Sequence, residues 1–281
     1  MVTLTHPAEA AVWSAEMRRL GRQVGFVPTM GALHLGHMSL IHRAKSDGME
    51  VAASVFVNPF QFNNPADLAR YPRQLDQDRD LLEAAGCSML FAPTTDLIYA
   101  GHGQVGYDLG GLDHFLEGPL RPGHFQGVVN VVERLFHFVR PDRAYFGEKD
   151  RQQLAIVQYV VVQQRWPVTI VACPTQREAD GLAMSSRNQQ LSGKERAVAG
   201  TLFKALQKLE DGAFNAPVAD CLLAGKAVIA AEPLFTLEYL EVADPGTLAP
   251  LMAWSERDEA VALVAARLGT VRLIDNITLR R

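Results

Sequence analysis

Two imidazoles three residues apart, in the run His34-Leu35-Gly36-His37, stand between an apolar segment ending at Val27-Pro28 and an apolar helical pattern of Met38, Leu40, Ile41 and Ala44. The spacing puts both rings on one face of a first helical turn. A strand that hands over to a helix here predicts an anion site, because free backbone N–H groups and the positive end of the helix dipole point outward at such a junction. One imidazole can then serve a nucleotide and the other the charge that builds on a reacting phosphate. Two capping or surface histidines at a helix start are the alternative reading of the same residues.

Other polar groups fall at further predicted junctions. Asn58-Pro59-Phe60-Gln61-Phe62 follows a strand-like run, and its carboxamides offer donors and acceptors beside two aromatic walls. That mixture suits a small hydroxylated organic acid, although a plain Asn-Pro turn reads equally well. In Phe146-Gly147-Glu148-Lys149-Asp150, Gly147 permits close backbone approach, Lys149 supplies a point charge for phosphate and Asp150 can cap a helix, with Gln153 in reach. Arg121-Pro122-Gly123-His124 leads into an apolar helix, where His124 serves as a cap or core residue as readily as a ligand. The small-residue loop from Asp180 to Asn188 carries Ser185, Ser186 and Arg187, suited to phosphate oxygens. A flexible Ser-rich linker has a similar composition.

The elements that must position these groups alternate along the chain. Helical patterns span 8–20, 35–45, 76–85, 125–139 and 152–164. Strand patterns span 24–27, 51–57, 89–91, 143–146 and 168–172, with a short extra strand at 107–109. The near-continuous apolar run at 51–57 is expected of a parallel strand covered on both faces. Repeated strand–helix–strand units predict a Rossmann-like, doubly wound parallel sheet. Beyond Asn188 the pattern changes to a lysine-bearing amphipathic helix over 191–209, a second helix over 218–230 and strands at 237–242, 260–266 and 271–274. These form a smaller α+β domain, with the boundary on the polar segment 176–185.

At 281 residues the chain is long enough for two domains. Its net charge of −4 argues against a general nucleic-acid binder. Cys87, Cys173 and Cys221 have no metal-ligand spacing and read as free thiols in a reducing cytoplasm. The first residues lack a basic region followed by an apolar core, so no signal peptide is expected, and no apolar run approaches membrane-spanning length.

Taken together and in order, six blocks resemble one family. They are Val27-Pro28-Thr29-Met30-Gly31-Ala32-Leu33-His34-Leu35-Gly36-His37, Val55 through Phe62, Tyr71-Pro72-Arg73, Arg121 through Phe125, Asp142 through Asp150 with Gln153, and Arg177 through Asn188. They cover most of residues 25–190, and the chain resembles the pantothenate synthetases, the pantoate–β-alanine ligases. The resemblance implies an HxGH nucleotidyltransferase-type Rossmann domain over 1–176 and a small domain over 177–281 that closes over the active site. It implies a cytoplasmic homodimer, with no nucleic-acid or membrane partner, that uses Mg2+ and ATP to condense pantoate with β-alanine through pantoyl adenylate. Carried over by position, Met30 through His37 hold ATP, and His37 acts as proton donor, with His34 and Lys149 beside it in catalysis. Gly147, Glu148, Lys149, Asp150, Gln176, Met184, Ser185, Ser186 and Arg187 bind the nucleotide. Gln61 and Gln153 hold pantoate, with Gln61 also near β-alanine, and Asn58, His124 and Tyr71 complete the substrate pocket. No residue is assigned to the metal.

The chain departs from the family pattern at Gln176, usually apolar, and at Leu35, often acidic. Two other readings share the histidine device: a nucleotidyltransferase that moves AMP onto a phosphorylated acceptor and stops, and an RNA-binding relative of the aminoacyl-tRNA synthetases. AMP as a product separates the first from a ligase; the acidic balance speaks against the second. A binding protein without catalysis fits least, since every motif keeps its polar groups.

Overall fold

The computed structural model describes residues 1–254 and 257–281. The chain forms two compact units. The first comprises Met1–Asp113, Glu117–Glu148 and Gln153–Pro174; the second comprises His114–Leu116, Lys149–Gln152 and Thr175–Arg281.

The first unit is built on six parallel strands, β1 (Val2–Leu4), β2 (Val24–Thr29), β3 (Glu50–Val55), β4 (Met89–Phe91), β5 (Arg143–Gly147) and β6 (Thr169–Cys173), in the order β1-β4-β3-β2-β5-β6. Strand alternation sends Phe26, Ala52, Phe91, Ala144 and Phe146 to one face and Val27, Val51, Ala53, Leu90 and Tyr145 to the other. The first face packs on residues of the helices Pro7–Arg19, His124–Val139 and Arg151–Gln163. The second packs on the helices Leu35–Ser46 and Leu75–Ala84. Both faces are therefore dry, which explains the unbroken apolar runs in the sequence.

The strand order reverses between β2 and β5. β2 pairs with β3 along its whole length, from Val24↔Glu50 to Thr29↔Val55, but with β5 only through Gly25↔Arg143 and Phe26↔Ala144. Pro28 has no N–H to give a ladder, and the β2–β5 pairing stops before it. The carboxyl ends of the two strands are thus not paired with each other at the reversal, where an open α/β sheet takes its ligands.

The expected strand at 107–109 is not formed. An extended strap lies there instead, and it pairs with side chains rather than backbone. Val105 N donates to Asn130 Oδ1 and Asn130 Nδ2 donates to Val105 O, at 2.8 and 2.9 Å. Tyr107 N and O make the same exchange with the Gln126 carboxamide, at 3.0 and 2.7 Å. β1 was not anticipated: three residues, with Val2 largely exposed, carry too little pattern.

In the second unit, β7 (Phe235–Ala243), β8 (Glu259–Leu268) and β9 (Val271–Arg280) form an antiparallel sheet in chain order. The helices Thr201–Glu210 and Val218–Ala230 share a core with it. The single helix expected over 191–209 is two, Gly193–Val198 and Thr201–Glu210. The break falls at Gly200, where a Cβ would lie 2.6 Å from the carbonyl oxygen of Asp180.

Helix His124–Val139 reaches the sheet's carboxyl edge by backbone contact at Gly127, where a Cβ would stand 2.3 Å from the carbonyl oxygen of Phe60. Gly127→Ala is expected to lower the unfolding free energy by about 1–3 kcal/mol, the usual range for overpacking. Urea denaturation checks this, and an unchanged midpoint contradicts the close approach.

Candidate functional site

The histidine loop leaves the carboxyl end of β2. Gly31 and Ala32 both adopt left-handed backbone, with φ of 81° and 50°, and His34 returns to extended geometry as the N-cap of Leu35–Ser46. His34 Nδ1 accepts from Gly36 N at 3.1 Å, and His37 Nδ1 accepts from His34 N at 3.4 Å. The two imidazoles therefore close a reciprocal capping box, a task usually given to hydroxyls and carboxylates. Their ring centres are 4.1 Å apart, tilted by 50°.

This cap fixes the chemistry of the rings. A nitrogen that accepts carries no proton, so each neutral ring holds its proton on Nε2. The expectation of free backbone amides for an anion is corrected here, because most of them already have protein acceptors. Gly31 N donates to Thr29 Oγ1 at 3.1 Å, Ala32 N and Leu33 N donate to Asp78, and His37 N donates to His34 O at 2.8 Å. His34 N and Gly36 N are taken up by the cap, so Nε2–H is the donor left to each neutral ring. Leu35 is exposed and Leu33 buried.

Beside this loop, a short 3-10 turn, Pro59–Gln61, ends the segment after β3. Asn58 is fully buried and makes four hydrogen bonds. Its Nδ2 donates to Gln61 Oε1 at 3.2 Å and to Gly127 O at 3.0 Å; its Oδ1 accepts from Phe60 N at 3.3 Å and from the Tyr99 hydroxyl at 3.0 Å. A carboxamide has two donors and two acceptor positions, so Asn58 is saturated. These contacts orient the neighbouring Gln61 amide. Burial pushes the Tyr99 hydroxyl up to about 12, so that group remains a donor at neutral pH.

The consequence falls on Gln61. With Oε1 held by Asn58, its amide presents Nε2, which lies 3.0 Å from Met30 Sδ. Met30 thereby joins the carboxamide to the histidine loop. His124, buried at the start of its helix, holds the Gln61 carbonyl oxygen through Nδ1 at 2.8 Å. Tyr71 is also buried and packs edge-on to Phe62, 5.7 Å between ring centres. His34, His37, Met30, Gln61, Asn58, His124 and Tyr71 thus all belong to the first unit. Gly147 ends β5, Glu148 follows it, and Gln153 is half-buried on the helix Arg151–Gln163.

The second unit has its own polar framework. Arg177 donates to both carboxylate oxygens of Asp275, at 2.6 and 3.0 Å, and to the carbonyls of Gly181 and Asn276, with its guanidinium carbon 3.9 Å above the Phe203 ring. Asn276 Nδ2 donates to the Lys149 carbonyl at 2.9 Å. Strand β9 therefore holds both Lys149 and the start of the 177–188 loop. Lys149 Nζ lies 3.7 Å from a carboxylate oxygen of Asp150. The exposed Gln176 takes part through its backbone carbonyl, which accepts from Met184 N at 2.9 Å. Ser185 caps the turn Ser186–Gln190 by accepting from Arg187 N, and Ser186 is buried. Asp275, Asn276 and Asp78 escaped the sequence reading, because an acid or amide in a strand or an Asp-rich helix looks like a solvated face.

A family model described as pantoate-beta-alanine ligase matches residues 2–278. The chain is 43% identical to a pantothenate synthetase of Cytophaga hutchinsonii, covering 99% of both chains, and 47% identical to one of Phocaeicola vulgatus, covering 93% of both. Its fold is similar to the crystal structure of pantothenate synthetase from Thermus thermophilus, with a TM-score of 0.92, 46% identity and 99% of both chains covered. It is also similar to a pantoate-beta-alanine ligase of Francisella tularensis complexed with beta-gamma ATP and beta-alanine, with a TM-score of 0.81, 33% identity, and 99% and 97% covered.

The saturation of Asn58 has a measurable consequence. Asn58→Ala strands the Gln61, Gly127 and Tyr99 groups that it joins, and should cost about 1–3 kcal/mol of unfolding free energy. Thermal and urea unfolding check it; a variant as stable as the parent contradicts the network.

Proposed function

The chain belongs to the pantoate-beta-alanine ligase family, and from that premise we propose how its residues divide the work of joining pantoate to β-alanine with ATP. A carboxylate and an amine do not condense at neutral pH, because the carboxylate is a poor electrophile. In the first step a pantoate carboxylate oxygen forms a bond to the α-phosphorus of ATP as the bond to pyrophosphate breaks. In the second, the free amine of β-alanine attacks the acyl carbon of pantoyl adenylate. AMP departs with the electrons of the broken C–O bond, the amine loses a proton, and pantothenate forms.

The observation that carries this reading is the pairing, in one unit, of two Nε2–H imidazoles with a carboxamide whose Nε2 is presented by a buried partner. Charge builds on phosphate oxygens during the first step, and fixed donors aimed at it are the main catalytic device for such a displacement. His37 and His34 supply those donors, with His37 as proton donor. Gln61 Nε2 and Gln153 hold the hydroxyl and carboxylate oxygens of pantoate, while Tyr71 and Phe62 offer an apolar wall. Lys149 and Arg187 neutralise phosphate charge; Gly147, Glu148, Asp150, Gln176 through its backbone, Met184, Ser185 and Ser186 serve the nucleotide.

Mg2+ accompanies ATP in this scheme. Among the described residues no group of three or more His, Cys, Asp or Glu is arranged to hold a metal ion. The ion's ligands would then be mainly phosphate oxygens and water, a common arrangement for Mg2+. A homodimer is what the resemblance implies, and Tyr159 and Val162, exposed on the helix Arg151–Gln163, offer it an apolar patch. Work in the cytoplasm is supported by three free, buried cysteines, two of them, Cys87 and Cys173, with thiols that burial pushes up to about 11. Among the described residues no helix is long and apolar enough to cross a membrane.

The order of steps is directly testable. Exchange of labelled pyrophosphate into ATP should require pantoate and proceed without β-alanine. Exchange that needs β-alanine, or that runs without pantoate, contradicts the adenylate route.

A further inference from the structure

Asp78 has no part in the chemistry described so far, yet it is completely buried within a helix, Leu75–Ala84, whose other acids face solvent. Its Oδ2 accepts from Ala32 N at 2.9 Å and its Oδ1 from Leu33 N at 2.7 Å. Successive backbone N–H groups that converge on one anion form a concavity of the kind that binds phosphate elsewhere. Here that concavity is filled from inside by the protein's own carboxylate. Asp78 lies near the amino end of its helix, where the dipole favours a negative charge.

The two amides belong to a turn that passes through left-handed backbone. Ala32 has φ of 50°, a region that L side chains rarely adopt, and it follows Gly31 at 81°. A Cβ on Gly31 would stand 2.8 Å from Asp78 Oδ2 and 2.9 Å from Val55 Cγ1, so the carboxylate and the loop are fitted to each other. The residue after Leu33 is His34, the cap of the helix that carries both imidazoles. No other interaction described above ties this left-handed turn to a second element so closely.

We propose that Asp78 is a positioning residue for the adenylation step. Its carboxylate holds the 31–33 turn so that His34 and His37 present Nε2–H to the reacting phosphate, and it keeps the amides of Ala32 and Leu33 from capturing phosphate in an unreactive pose. This rests on the functional reading given above, since it assigns the imidazoles to the phosphate.

The test compares two half-reactions in Asp78→Asn, which keeps shape but turns an NH2 toward one of the two backbone N–H groups. The maximal rate of pantoate-dependent pyrophosphate exchange should fall about 10²-fold, the loss expected for misplacing catalytic groups by an ångström, while KM for pantoate changes less than about threefold. The reaction of β-alanine with supplied pantoyl adenylate should stay within about threefold of the parent, which a collapsed fold would not allow. In Asp78→Gly, formate should restore exchange at least about tenfold and formamide should not, because only the anion can accept from both amides. Exchange at the parent rate in Asp78→Asn overturns the proposal and leaves the ligase reading standing. Equal loss of both half-reactions, or failure of formate, also overturns it. If the parent itself shows no pantoate-dependent exchange, the ligase reading has failed instead.

Discussion

The arrangement depends on which atoms of the histidine loop are already engaged. Each imidazole accepts a backbone N–H through Nδ1, and that contact ties proton position to helix start. A ring that takes a second proton can no longer accept, so the cap requires neutral histidines. The backbone amides around them have acceptors within the protein, from Thr29 through Asp78 to His34 itself. On the proposed reading a phosphate at this strand end meets imidazole donors, where a glycine-rich loop would offer peptide N–H groups.

The same logic extends to the carboxamides beside the loop. A carboxamide can turn over and exchange its donor for its acceptor at small cost, so an unsupported glutamine reads either group of a ligand. Asn58 removes that freedom by donating to Gln61 Oε1, and it is held in turn by Tyr99, Phe60 and Gly127. The close approach at Gly127 brings the helix backbone near enough to close the network. Sheet edge, helix packing and amide orientation are consequently one construction. In the second unit, β9 performs a comparable service for Lys149 and for the loop that begins at Arg177.

Much of this was legible in the sequence. The alternation of apolar strands with amphipathic helices predicts the parallel sheet, and the six blocks from Val27 to Asn188 predict the family. What was not legible has particular causes. Gln126 and Asn130 pair with Val105 and Tyr107 as a neighbouring strand would, so a strap without a strand partner carries a strand's pattern. The apolar period over 191–209 runs through Ala199 and Gly200, and the helix breaks there beside the carbonyl of Asp180, a residue the period does not register. Asp78 sits among Asp76 and Asp80 and looks like one more solvated acid. Asn58 was legible as a member of the site, but its saturation depends on Tyr99 and Gly127, which lie 41 and 69 residues away.

The central claim is that imidazole Nε2–H groups, rather than loop amides, receive the phosphates. Nitrogen-15 NMR of the protein titrated with a non-hydrolysable ATP analogue tests it most directly. The Nε2–H signals of His34 and His37 should shift on binding, with Nδ1 unprotonated throughout, while the amide signals of Ala32 and Leu33 move little. Large shifts at those two amides with unmoved imidazole signals would contradict it.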